Sequence, residues 1–182
     1  SLSDIHIPFQ RNEILQAAVE QAKGADVLIL NGDIFDCYGI SVFKKSKLIP
    51  LLREYEAVLE FVRGLVPHFP HIRLVRGNHE KRFCGTFNTN LKEALEPPLG
   101  DDLMERLARG DIYDDTGTCV GNYDFPNVHY DKFAAWYTIV GKTIFCHPRR
   151  FSRVPGGTVK MAYDWFQQVG HIDFDSIVMG HT

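Results

Sequence analysis

No apolar run in the 182-residue chain approaches the roughly 20 residues that a membrane-spanning helix needs, which argues against a membrane partner. No charged-then-apolar leader precedes the first predicted element, so nothing points to secretion, and a cytoplasmic location is expected. Cysteine is sparse. Cys37, Cys84, Cys119 and Cys146 form no C-x-x-C pair, which argues against a zinc ribbon. Without a secretory signal, reduced thiols are the default, and Cys37 and Cys146 read as small buried hydrophobes. Positive charge is not in excess. The formal net charge of -3 argues against a protein that grips nucleic acid by bulk charge alone, while leaving room for a local basic patch. Internal repeats, low-complexity tracts and linkers are lacking, so residues 1–182 read as a single domain.

What is present is an ordinary globular composition, 45% apolar and 24% charged. Val27-Leu28-Ile29-Leu30 is continuous and apolar, as suits a strand covered on both faces. It runs into Asn31-Gly32-Asp33-Ile34-Phe35-Asp36, which places Asp33 at the carboxyl end of a strand. Sites in open α/β sheets form at such ends. Further strands are expected at residues 72–75 and 176–179, and a hairpin at 133–140 and 142–147 turning at Gly141-Lys142. Helical spacing covers residues 12–23, with Ile14, Leu15, Ala18, Val19 and Ala22 apolar and Asn12 as N-cap. It recurs at 48–66, and at 158–169 with Val159, Ala162, Trp165, Phe166 and Val169 on one stripe. Residues 88–109 read as two helical pieces broken at Pro97-Pro98. Residues 111–127 have no clear period and read as a surface insertion or the start of a second sheet.

Early alternation of strands and helices implies parallel strands with right-handed crossovers, and the later hairpin implies antiparallel ones. The expected fold is therefore α/β, a four-layer α/β/β/α sandwich with two mixed sheets. Its strand ends carry Asp4 and His6, Asp33 and Asp36, Asn78 and His79, His147, and His181. Singly, each has a plain structural use as a cap, a turn or a satisfied core histidine. Together they form a mixed set of carboxylates, imidazoles and one amide, which suits manganese, iron, cobalt, nickel or zinc better than calcium or magnesium.

The set resembles the calcineurin-like metallophosphoesterases, whose motifs are D-x-H, G-D-x-x-D, G-N-H-[DE], H and G-H-x-H. Here they stand as Asp4-Ile5-His6, Gly32-Asp33-Ile34-Phe35-Asp36, Gly77-Asn78-His79-Glu80, His147 and Gly180-His181-Thr182. Five pieces in order, each after a predicted strand, make the resemblance specific. It implies two divalent cations. Asp4 and His6 would hold the first, Asp33 would bridge, and Asn78, His147 and His181 would hold the second. His79 would act as general acid, oriented by Asp36. The implied activity is hydrolysis of phosphate mono- or diesters by a hydroxide held between the metals. The substrate would be a small-molecule or nucleotide ester. The alternatives are a nuclease acting on nucleic acid, or a non-catalytic interaction module on the same fold.

There are two departures from the pattern. The family's final histidine would fall two positions after His181, past Thr182, and the chain reads as trimmed at both ends. Pro148 follows His147 where relatives often carry a small residue. His129 is the competing histidine for the fourth motif, and His68, His71 and His171 read as solvated. Arg149, Arg150 and Arg153, with Lys81-Arg82 and Lys44-Lys45-Lys47, are candidates for phosphate contact. Phe83, Trp136 and Tyr137 read as packing residues with a secondary capacity to stack on a base.

Overall fold

The chain's architecture is given by a computed structural model that describes residues 1–41, 49–86, 102–169 and 172–181. Phe43, Lys44, Lys45, Lys47, the first expected helical piece of residues 88–109, His171 and Thr182 lie outside the described residues.

The apolar run becomes β1 (Val27–Asn31), whose last four residues are buried. β2 (His71–Val75) pairs with it in parallel, and β5 (Val128–Tyr130) pairs in parallel with β2. Leu2 and Ile7 add parallel bridges to Leu30 and Phe35, so the first residues of the chain run alongside β1. On one face of this sheet, Leu28, Leu30, Ile72, Leu74 and Val128 enter a single core with α1 (Asn12–Ala22), α2 (Leu51–Leu65) and α4 (Leu103–Arg109). Tyr55, Val58, Leu59, Val62 and Leu65 form the buried stripe of α2 at helical spacing, each burial contributing about 1.5–3 kcal/mol.

The second sheet orders β6 (Tyr137–Val140), β7 (Thr143–Cys146) and β8 (Ser176–Met179). β6 and β7 form the expected antiparallel hairpin across Gly141-Lys142, and β8 joins β7 in parallel. Ile144 and Cys146 pack against Ala162 and Phe166 of α5 (Gly157–Val169). Polar links join the two sheets. The Asn31 amide donates to the Cys146 and Val178 carbonyls at 3.2 and 3.4 Å, and Arg73 donates to the Ile139 carbonyl at 2.8 Å. The order helices, sheet, sheet, helix makes an α/β sandwich. Among the described residues the first sheet is parallel throughout, so the mixed pairing is confined to the second. A separate antiparallel ribbon of β3 (Asp111–Tyr113) and β4 (Cys119–Asn122) occupies much of the stretch without period. No described helix is long and apolar enough to cross a membrane.

Several local expectations are corrected. Arg11, not Asn12, is the N-cap of α1, and no side chain caps it. Ile14 is 60% exposed because Leu15, Val19 and Ala22, four and three residues apart, take the core side. On α5 the buried pair is Ala162 and Phe166, while Val159 and Trp165 face outward. Cys37 and Cys146 are buried free thiols, whereas Cys119 is exposed.

Candidate functional site

Both sheets deliver their polar ends to one edge. Asp33 follows β1, Asn78 and His79 open α3 (Asn78–Thr86) just after β2, His147 follows β7, and His181 follows β8. Asp4 and His6 lie beside the loop after β1, their N–H groups donating to the Gly32 and Asp33 carbonyls at 3.1 and 3.0 Å. Asp4, His6, Asp33 and His181 all have positive φ, between 51° and 65°. Non-glycine residues pay for that conformation, and such strain concentrates at functional sites.

Asp33 is the centre of the arrangement and is 2% exposed. One oxygen accepts the His79 backbone N–H at 2.9 Å, and the other lies 3.3 Å from His147 Nε2 and 3.9 Å from His79 Nε2. Donor atoms of His6, Asp33 and His79 fall within 4.8 Å of one another, and so do those of Asp33, His147 and His181. Asp33 belongs to both groups. Asp4 meets the second from the side, accepting the His181 N–H at 3.1 and 3.3 Å.

The chemistry at His147 fits a cation. Its Nδ1 faces the Asn31 carbonyl at 2.8 Å, so Nδ1 carries the hydrogen. That turns the Nε2 lone pair toward Asp33 and toward the Asn78 amide oxygen, 3.2 Å away. Three acceptor atoms then converge, and a positive charge must sit among them. In the metal-free chain the surroundings favour a proton there. Burial pushes the His147 pKa down, but the Asp33 hydrogen bond and charge outweigh this and raise it. Burial likewise pushes Asp33 up, and His147 and His79 overcome it to hold the carboxyl below its ordinary value. A divalent cation at the same place would displace the proton.

His79 sits beside this centre. Its Nδ1 lies 2.6 Å from the Asp36 carbonyl oxygen, and the Asp36 carboxylate is 4.0 Å from Nδ1 but 3.3 Å from His6 Nδ1. Arg82 approaches both ring nitrogens, at 2.8 and 3.2 Å. Burial lowers the His79 pKa, with the Arg82 and His6 charges, against the opposite pull of Asp33 and the Asp36 carbonyl. His129 lies on β5, its ring 5.9 Å from that of His71. Phe83 is fully buried. Arg149, Arg150 and Arg153 are exposed on the loop after His147.

Three supporting residues escaped the sequence reading. Glu80 is fully buried and accepts four backbone N–H groups, from Asp33, Ile34, Phe35 and Gly77, at 2.7 to 3.1 Å. Glu54, buried on α2, accepts those of Cys37 and Tyr38. Asn31 holds both sheets and the His147 ring. Glu54 had left a signal, a carboxylate immediately before the apolar stripe of α2, and Glu80 stands in the motif itself.

A buried aspartate shared by two groups of imidazoles, at the carboxyl edge of an α/β sandwich, places the chain with proteins able to hold divalent cations. The chain belongs to the calcineurin-like phosphoesterase family, whose model matches residues 2–182. No curated protein and no solved structure matches it. Members of this family hydrolyse phosphoesters with the help of divalent metal ions, and His/Asp groups able to hold such ions are present here.

Proposed function

We propose that this chain, as a single catalytic domain, hydrolyses phosphate mono- or diesters with two divalent cations held on either side of Asp33. The observation that carries the reading is the pair of donor groups that share this one carboxylate. A carboxylate with two oxygens can reach two ions at once and offset their mutual repulsion. Asp4 and His6 would hold one ion, and Asn78, His147 and His181 the other, with Asp4 at the boundary because it also accepts the His181 N–H. Manganese, iron, cobalt, nickel and zinc all suit this mixture of nitrogen and oxygen donors. When bound, the ions would acidify water to near neutral pH and polarise the phosphoryl oxygens.

The remaining work falls to the chain's own side chains. His79 Nδ1 is held by the Asp36 carbonyl, which leaves Nε2 to deliver a proton to the departing oxygen. Asp36 orients His79 through its carbonyl rather than, as expected, through its carboxylate, which lies nearer His6 Nδ1 at 3.3 Å. Arg82 suits the phosphate oxygens, and its movement onto them would release His79 Nε2. The Asn31 carbonyl fixes the His147 tautomer.

Metal analysis of the purified protein tests the reading. Manganese loading should approach two ions per chain with turnover of bis-4-nitrophenyl phosphate, and Asp33→Asn should lose both ions together. Loss of only one ion in that variant, or turnover that survives chelation, would remove Asp33 from the bridging role.

A further inference from the structure

The loop after β7 and the outer side of α5 enclose a cavity of about 600 Å³, lined in part by Trp136, Met161, Trp165, Arg149, Arg150 and Gln168. Its wall continues from the strand end that carries His147. The His147 N–H donates to the Trp136 carbonyl at 2.9 Å, and Pro148, the next residue, forms part of the wall. The indoles are anchored from beneath. Trp136 stacks on Phe166 at 5.1 Å and meets Trp165 edge-on at 4.7 Å. Even so, Trp165 is 37% exposed and Met161 41%.

Asp164, the acidic residue among the described lining, is paired with Lys160 at 2.6 Å. Arg150 then adds positive charge at the rim. Arg150 has no hydrogen-bond or ion-pair partner among the described residues. Indole surfaces suit a flat ring, a guanidinium rim suits phosphate, and the Gln168 amide can both donate to and accept from the edge of a base. A lipid chain would use neither the arginines nor the amide.

We infer that this cavity is a specificity subsite that takes the base of a nucleoside phosphodiester, with Arg150 steering its phosphate toward Asp33. The inference rests on the phosphoesterase reading and names the substrate class for it.

The chain's two tryptophans both lie here, so its intrinsic fluorescence reports on this cavity. Thymidine 5′-monophosphate should quench the metal-free protein saturably, with a midpoint about tenfold higher in Arg150→Ala. In the manganese-loaded protein, thymidine 5′-(4-nitrophenyl phosphate) and methyl 4-nitrophenyl phosphate share one leaving group. KM should be about tenfold lower for the thymidine ester. Trp165→Ala should remove that advantage and leave turnover of the methyl ester unchanged. Absence of saturable quenching, equal KM for the two esters, or an equal loss on both in Trp165→Ala would overturn the subsite. If neither ester were turned over, the phosphoesterase reading would fail, and the fluorescence titration would still decide the subsite.

Discussion

His79 is the residue on which two roles compete. Its position within reach of His6 and Asp33 would let it bind metal, whereas its Nδ1 contact with the Asp36 carbonyl and its partly exposed side chain suit proton delivery. The lowered pKa means that the metal-free imidazole is largely neutral near pH 7, so an arriving phosphate must favour its protonation. The roles separate by leaving group. A general acid matters when the departing alkoxide is a poor leaving group and little when it is 4-nitrophenolate. His79→Ala should therefore cut kcat on an alkyl phosphodiester by about 10²–10⁴-fold. It should leave bis-4-nitrophenyl phosphate turnover within a few-fold, and metal content unchanged. An equal loss on both esters, with metal content falling alongside, would make His79 a ligand instead.

Elements meet at this site through backbone as much as through side chains. The loop after β1 and the start of α3 approach so closely that a side chain at Gly77 would collide with Asp33, and one at Gly32 with the His147 ring. Glu80 makes that approach possible by accepting N–H groups from both segments. Glu80→Ala would leave four buried donors without an acceptor, at about 1–3 kcal/mol each. The sum rivals the whole stability of an ordinary domain, so this variant should fail to fold. Glu80→Gln keeps one oxygen and should fold with a melting temperature lowered by about 5–15 °C. A wild-type melting curve for either variant would show that the four contacts are dispensable. These contacts also mark the limit of what sequence reveals. The strands before Asp33, Asn78, His147 and His181 were legible because apolar runs stop sharply at polar residues, and order along the chain then supplied the candidate site. β5 was not legible, since three residues carry no period and its pairing with β2 is set by contacts distant in sequence. Neither were the outward turns of Ile14 and Trp165, because an apolar residue 100° off the stripe looks the same in one dimension. The Glu54 and Glu80 contacts were hidden because their partners are backbone groups, which have no letter in a sequence.

Across the whole molecule, folding is linked to protons through these buried carboxylates. Burial raises Glu54 to about 7, against the pull of the Cys37 and Tyr38 N–H groups. An unfolded glutamate titrates near 4.3. Between those values the folded chain holds a proton that the unfolded chain has released. Stability must then fall as pH rises from about 4.5 to 7 and level off above, by about 3–4 kcal/mol from this group. Burial raises Glu80 in the same direction, and Asp33 is charged in both states over this window. His79, held low, works the other way as pH approaches 6.5, because the unfolded imidazole binds the proton more readily than the folded one. The net slope should therefore be steepest between about pH 4.5 and 5.5. Urea unfolding of the metal-free protein should show the midpoint dropping over that interval, and Glu54→Gln should flatten it by about one proton. A midpoint that climbs through the interval would mean that both carboxylates stay ionised in the fold, their N–H donors outweighing burial. In that case the loop around Asp33 would be held by charge-assisted bonds at every pH at which the site can bind metal.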